Sequence, residues 1–229
     1  MTRVQQTRDT STNNRLANAR LEFDVDADLA HLVDVAIGHG ASKATVVSAE
    51  QVVIDERVTM KCKLPPCEWY GRSLMCPPYS PKASEFREYL ERYHHGILVQ
   101  VECPIQDELK ALVEAKDETY AQLHKKSDFI EAKRKSVNPS WHKLHGVAMG
   151  LEREAIKLGY YLSAGLVAGS CRLCDECDVS APCKRPYEAR PSMEACGIDV
   201  VGTSRNAGWH LPFPARTDKI FLTGLVMIV

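Results

Sequence analysis

Apolar residues recur at helical spacing from Leu29 onward. Leu29, Leu32, Val33, Ala36 and Ile37 fall on one stripe of "DADLAHLVDVAIGHG", which predicts an amphipathic helix. Gly38 and Gly40 supply its stop. "KATVVSAEQVVIDERV" bunches its apolar residues at Val46–Val47 and Val52–Ile54 and reads as one or two strands. "SEFREYLERY" has the pattern of a short helix with Ser84 as its cap. "GILVQVE", from Gly96 to Glu102, reads as a buried strand. From Asp107 to Lys135 the chain is highly charged and helical in character, with a break near Ser127–Asp128. The strongest helix follows in "NPSWHKLHGVAMGLEREAIKLGY". There Trp141, Leu144, Val147, Ala148, Leu151, Ala155 and Leu158 make a buried stripe. Asn138 suits its cap, Pro139 its first turn, and Gly159 its end. "YYLSAGLVAG" and "FLTGLVMIV" read as two further strands. Val226 and Ile228 of the last are expected to pack on the Trp141–Leu158 helix.

Strands that alternate with helices predict an α/β or α+β fold: a central sheet, flanking helices and two cysteine-rich loops that bind clusters. Residues 1–20 read as a disordered or extended polar tail, and 21–229 as a single domain; a small C-terminal lobe at 168–216 is the alternative division. There are no internal repeats. A net charge of −1, with 45% hydrophobic and 26% charged residues, is ordinary for a soluble globular protein. It gives no electrostatic reason to expect nucleic acid or membrane as a partner. The longest apolar run, Ile220 to Val229, is about half of a membrane span. The first twenty residues lack the apolar stretch of a signal peptide. The expected compartment is the cytoplasm, where thiols stay reduced. Nine cysteines are an odd, bunched set that suits metal binding or redox chemistry better than a disulfide framework.

The tightest bunch is "GSCRLCDECDVSAPCKRP". Cys171, Cys174 and Cys177 have the C-x2-C-x2-C spacing, and Cys183 follows after five residues. Two-residue gaps let a backbone curl around a [4Fe–4S] cluster with its N–H groups turned toward sulfur. Zinc more often takes thiolates as two separated C-x2-C pairs. The run therefore favours a cluster, with zinc, a Cys171/Cys174 redox pair and inert buried thiols as the alternatives. The gap before Cys183 is longer than in bacterial ferredoxins, so Cys183 can close this cluster or serve another, and local closure is preferred. Asp175, Glu176 and Asp178 within the loop disfavour adding an electron nearby and point to a low potential.

The second bunch, "KCKLPPCEWYGRSLMCPPYSP", holds Cys62, Cys67 and Cys76 at C-x4-C-x8-C spacing, and its prolines and glycine make it a loop. Three cysteines leave one iron of a cubane in need of another ligand. Cys196, Cys103, a histidine or an exchangeable group are the candidates, and an open iron is a Lewis acid. Scattered structural cysteines and a zinc site are the competing readings. Cys196, in the turn-like "RPSMEACGIDV", is the more interesting completion; Cys103 follows a strand and is more often a plain core thiol.

Taken together, "KC…C…YG…CPP", "AG-x-C-x-x-C-x-x-C…C…P" and "RPSMEACGIDV" resemble an uncharacterised family described as a predicted metal-binding protein, the domain of unknown function numbered 2284. The resemblance runs from about Leu29 to Val229. It implies a prokaryotic cytoplasmic protein with cysteine-bound metal, generally taken as iron–sulfur. The matching positions are Cys62, Cys67, Cys76, Cys171, Cys174, Cys177 and Cys183. It draws attention also to Tyr70–Gly71, Pro77–Pro78 and Arg190–Pro191–Ser192, and implies no particular reaction.

Other chemistry is thinner. His142 and His145 are three apart on the long helix, and His94–His95 enter a strand; without carboxylate or thiol partners they read as solvent-facing or part-buried. "HKKSDFIEAKRKS" mixes acids and bases as a solvated helix face does, and can dock an acidic redox partner. Arg190 and Arg205 suit an anionic substrate or a pairing with Glu194 or Asp199. There is no phosphate-binding glycine loop. Three functions follow. The first is an iron–sulfur protein with one or two [4Fe–4S] clusters, passing electrons to a redox partner protein or serving a larger enzyme complex. The second is an open-site [4Fe–4S] enzyme in sulfur transfer or lyase-type chemistry. The third is a zinc-stabilised interaction protein.

Overall fold

Four strands make one antiparallel sheet in the order β1-β2-β4-β3. They are β1 (Lys43–Ser48), β2 (His95–Pro104), β3 (Ala164–Leu166) and β4 (Lys219–Met227). The computed structural model describes residues 24–114, 126–211 and 219–229. The expected tail, most of the segment between Glu114 and Ser127, and the end of the alternative lobe lie outside them. Among the described residues there are six α-helices: α1 (Val25–Gly38), α2 (Glu56–Lys63), α3 (Ala83–Leu90), α4 (Asp107–Glu114), α5 (Ser127–Lys157) and α6 (Val200–Asn206). Helices beside a wholly antiparallel sheet place the molecule at the α+β end of the expected class.

The two central strands explain why their sequences are apolar almost throughout. Successive residues point to opposite faces, and both faces are covered. Ile97, Val99, Val101, Val226 and Ile228 face α1 and α5, in a cluster with Leu32, Trp141, Leu144 and Leu151. Leu98, Leu225 and Met227 face the other way, against Phe86, Leu90, Met193 and Ile198. Val226 and Ile228 are buried against the Trp141–Leu158 helix, as the periodicity predicts. Each such side chain removed from water stabilises the fold by roughly 1.5–3 kcal/mol. The polar exceptions pair with each other: Gln100 and Thr223 are cross-strand partners, joined by an amide-to-hydroxyl bond of 3.4 Å.

Several sequence expectations need correction. The long helix does not start at Asn138. It starts at Ser127 and runs through Pro139, although that proline offers no N–H to the carbonyl of Lys135. Burial of Phe129 and Ala132 against Leu109 holds the extra turns in place. Val52–Ile54 forms no regular strand; a 3-10 turn intervenes at Ala49–Gln51, and Ile54 makes only a single bridge to Ile198. The cap of α3 is Lys82, not Ser84. The first cysteine run is not all loop, because Cys62 lies in the last turn of α2. Among the described residues no helix is long and apolar enough to cross a membrane.

Candidate metal centre

The first run is shaped by backbone hydrogen bonds. Asp55 caps α2 by accepting from the Arg57 N–H at 2.8 Å, and the helix delivers Cys62 half-buried at its end. The Cys67 N–H then donates back to the Cys62 carbonyl at 2.8 Å, which turns the chain and leaves Cys67 exposed. Gly71, at φ 70°, takes the left-handed conformation that favours glycine, and its N–H reaches the Pro77 carbonyl at 2.9 Å. That bond closes the loop which carries Cys76 inward, where it is buried. Burial pushes the Cys76 thiol up to about 11, with the neighbouring Cys67, Cys62 and Cys171 adding to the rise against a hydrogen bond with Ser73. Burial raises Cys62 as well, followed by the charges of Cys67 and Glu194. Cys62 therefore senses Cys67, and Cys76 senses both. Cys76 also senses a thiol of the other run.

The second run leaves the sheet from β3 and returns beside it. Val167 and Ser192 form a parallel bridge. The Val167 N–H donates to Pro191 and the Met193 N–H to Val167, both at 2.9 Å. The loop between is thus clamped at its stem. Helix α5 supports it from below: the Trp141 indole N–H donates to the Ala168 carbonyl at 2.8 Å, and His145 Nε2 to the Glu188 carbonyl at 2.8 Å. Within the loop Cys171, Cys177 and Cys183 are part-buried and Cys174 is exposed. All four line one cavity of about 30 Å³. Three of the sulfurs have a backbone N–H beside them. Leu74 donates to Cys177 Sγ at 3.4 Å, Arg185 to Cys183 Sγ at 3.4 Å, and Leu173 to Cys171. The Leu74 bond spans the two runs, and Ser73, Leu74 and Met75 help to wall the cavity.

Residues 45–228 match the profile of a family described as "Predicted metal-binding protein", domain of unknown function 2284. The chain belongs to this family. No curated protein and no solved structure matches it.

For a metal-binding protein the donor set matters. All nine cysteines are free thiols, and seven of them lie in these two runs. Yet among the described residues no three His, Cys, Asp or Glu side chains stand close enough to grip one ion. The four thiols of the second run line a shared cavity. A tetrahedral zinc with bonds of about 2.3 Å needs its sulfurs nearly in contact, whereas a cubane holds its thiolates on separate irons, farther apart.

The remaining candidates fall outside the runs. Cys196 is fully buried in the apolar cluster with Val47, Phe86 and Leu98, and burial pushes its thiol up to about 12. Cys103 is buried on β2, with its sulfur 3.4 Å from the Ser136 carbonyl. His145 stacks on Trp141 with ring centroids 5.2 Å apart, so it serves the loop's support. Arg190 pairs with neither Glu194 nor Asp199: its guanidinium is bound by Glu152, with Nη2 2.6 Å and Nε 2.8 Å from the carboxylate. Asp199 instead caps α6, accepting from Val201 and Gly202.

Sequence reasoning missed Glu152, and Asn138 as a partner. Glu152 is buried at the root of the loop, where it also accepts the Gly165 N–H at 2.6 Å. Asn138 holds Arg172, next to Cys171, at 2.6 Å. A charged residue in the apolar stripe of the long helix was the available signal for Glu152.

Proposed function

We propose that the chain is an iron–sulfur protein that passes single electrons or serves as a redox accessory to a larger enzyme. In this reading Cys171, Cys174, Cys177 and Cys183 hold one [4Fe–4S] cluster, and Cys62, Cys67 and Cys76 hold a second. One observation carries it: four thiols from one clamped loop line a single cavity, and three of their sulfurs already have backbone N–H donors beside them. Such donors stabilise thiolate sulfur and tune a bound cluster's potential. When bound, the clusters supply reversible one-electron exchange. The protein's own residues orient the sulfurs, and Leu74 and Met75 give the cavity an apolar wall.

The contact between the runs favours electron passage through both centres. Cys67 and Cys174 are exposed, which leaves each run open to a partner protein. A full set of free thiols fits a reducing cytoplasm. A second reading, an enzyme with an open iron at the first run, draws support from the burial of Cys196 and Cys103 away from it. Anaerobic purification followed by iron, sulfide and zinc counting tests the assignment. About eight irons with matching sulfide per chain mean two cubanes. Zinc without sulfide overturns both readings and leaves a zinc-stabilised interaction protein.

A further inference from the structure

Glu194 opens the short 3-10 turn Glu194–Cys196. That turn packs on α2, the helix that ends with Cys62. It is also fastened to the far limb of the first run, because Ser80 Oγ donates to the Ala195 carbonyl at 2.9 Å, and the Ser80 N–H reaches the Cys76 carbonyl at 3.1 Å. Glu194 thus sits on a turn tied to both limbs of the run that carries Cys62 and Cys76. Its Oε2 is withdrawn from solvent and has no hydrogen-bond partner among the described residues. A carboxylate oxygen without water or donor is costly, and such an orphan calls for a cation or donor to account for it. Gly197, at φ 83°, holds the turn in place. A Cβ there would collide with the Ala83 side chain, so the turn sits hard against α3.

We propose that Glu194 is the fourth ligand of the centre held by Cys62, Cys67 and Cys76. The inference rests on reading the first run as an iron–sulfur centre. Carboxylate oxygen, like thiolate sulfur, is an established protein ligand of metal ions. It also resolves the three-thiol count without Cys196, which shares the turn but turns its sulfur into the apolar cluster. One iron then differs from the other three: it has a hard, exchangeable oxygen donor, where small thiolates or cyanide can enter.

The test uses the full chain, loaded anaerobically, as wild type, Glu194→Ala, Glu194→Gln and Glu194→Cys, each also with Cys174→Ser to silence the second centre. Mössbauer spectra of the wild type should show one oxygen-ligated iron in the first centre. Glu194→Ala should lose that signature, and mild ferricyanide oxidation should take its first centre from about four irons to about three. Glu194→Cys should give uniform thiolate-bound iron that resists this loss. Glu194 Oε2 has no protein hydrogen bond among the described residues to forfeit. If Glu194→Ala still fails to fold, Glu194→Gln, of the same size, carries the comparison. Identical spectra and equal iron retention in all four proteins overturn the ligand while leaving the cluster reading intact. An iron count that Cys62→Ser leaves unchanged overturns the first centre itself, and the ligand with it.

Discussion

Glu152 ties the core to the cysteine loop, and Glu152→Ala should show how strongly. Its side chain is 6% exposed and that of Arg190 is 20% exposed. The carboxylate takes three bonds from Arg190, at 2.6–3.1 Å, and one from the Gly165 N–H at 2.6 Å. Breaking a buried pair by removing one partner costs about 3–5 kcal/mol, because the other charge is left behind. Partial exposure of Arg190 lets water recover some of this, so about 2–3 kcal/mol is the share expected from the pair. The orphaned Gly165 N–H on β3 adds about 1 kcal/mol. The sum, about 3–4 kcal/mol, is a large fraction of a typical total stability of about 5–15 kcal/mol.

Urea unfolding of the metal-free chain measures the loss. With a slope near 3 kcal/mol per molar, the midpoint should fall by about 1 M or more. A double-mutant cycle with Arg190→Met should return a coupling of about 2 kcal/mol. Glu152→Ala should also release metal to a chelator faster than wild type, since Arg190 holds the Tyr187 and Ala189 carbonyls at the end of the loop. A coupling near zero, or loss of stability with unchanged metal release, would refute the reasoning that this pair transmits core order to the loop.

Val226→Asp should destabilise the chain by at least about 4 kcal/mol, since Val226 is fully buried between Ile97 and Gly165 and the new charge has no partner; thermal unfolding near the wild-type temperature would contradict the packing. Cys174→Ser should abolish the iron of the second run and reduce, without abolishing, that of the first, read as iron and sulfide per chain. The metal-free chain should lose stability as pH rises from about 9 to 11. Cys76, pushed up to about 11 chiefly by burial, holds its proton longer folded than unfolded, so its roughly 2–3 kcal/mol is present below the unfolded value and lost above the folded one. Tyr160, raised to about 12 by burial and its bond to Asp28, contributes equally with and without metal. The difference between loaded and metal-free chains therefore isolates the thiols, and equal pH profiles would count against coordination by Cys76.

What the sequence made legible follows from where burial is strong. β2 and β4 are covered on both faces and α1 and α5 on one, so their patterns survive in the residue order. α2 was not legible because none of its residues is buried; a helix held by the Asp55 cap and the Arg57 pair leaves no apolar period to read. The early start of α5 was hidden by Pro139, whose local cost is outweighed by the burial of Phe129. At the candidate site the cysteine spacing was visible, but its supports were not. Leu74 and Cys177 are 103 positions apart, and Glu152 and Arg190 are 38 apart. Pairings of that kind exist only once the fold brings distant segments together.

The same contacts give the two runs a shared fate. The second run cannot be arranged without the first, because Leu74 supplies an N–H to Cys177 and part of the cavity wall. The first cannot be arranged without the turn at Glu194–Cys196, to which Ser80 is bonded, and that turn is reached through the Val167–Ser192 bridge at the stem of the second run. Each loop is therefore part of the other's scaffold. Loading one with metal lowers the ordering entropy that the other must still lose, so uptake at the two should be cooperative even with no bond between the metals. Two independent sites would instead fill in simple proportion to their separate affinities. On that count the bond between Leu74 and Cys177 is more telling than the cysteine spacing, since spacing describes each run alone and the bond couples them.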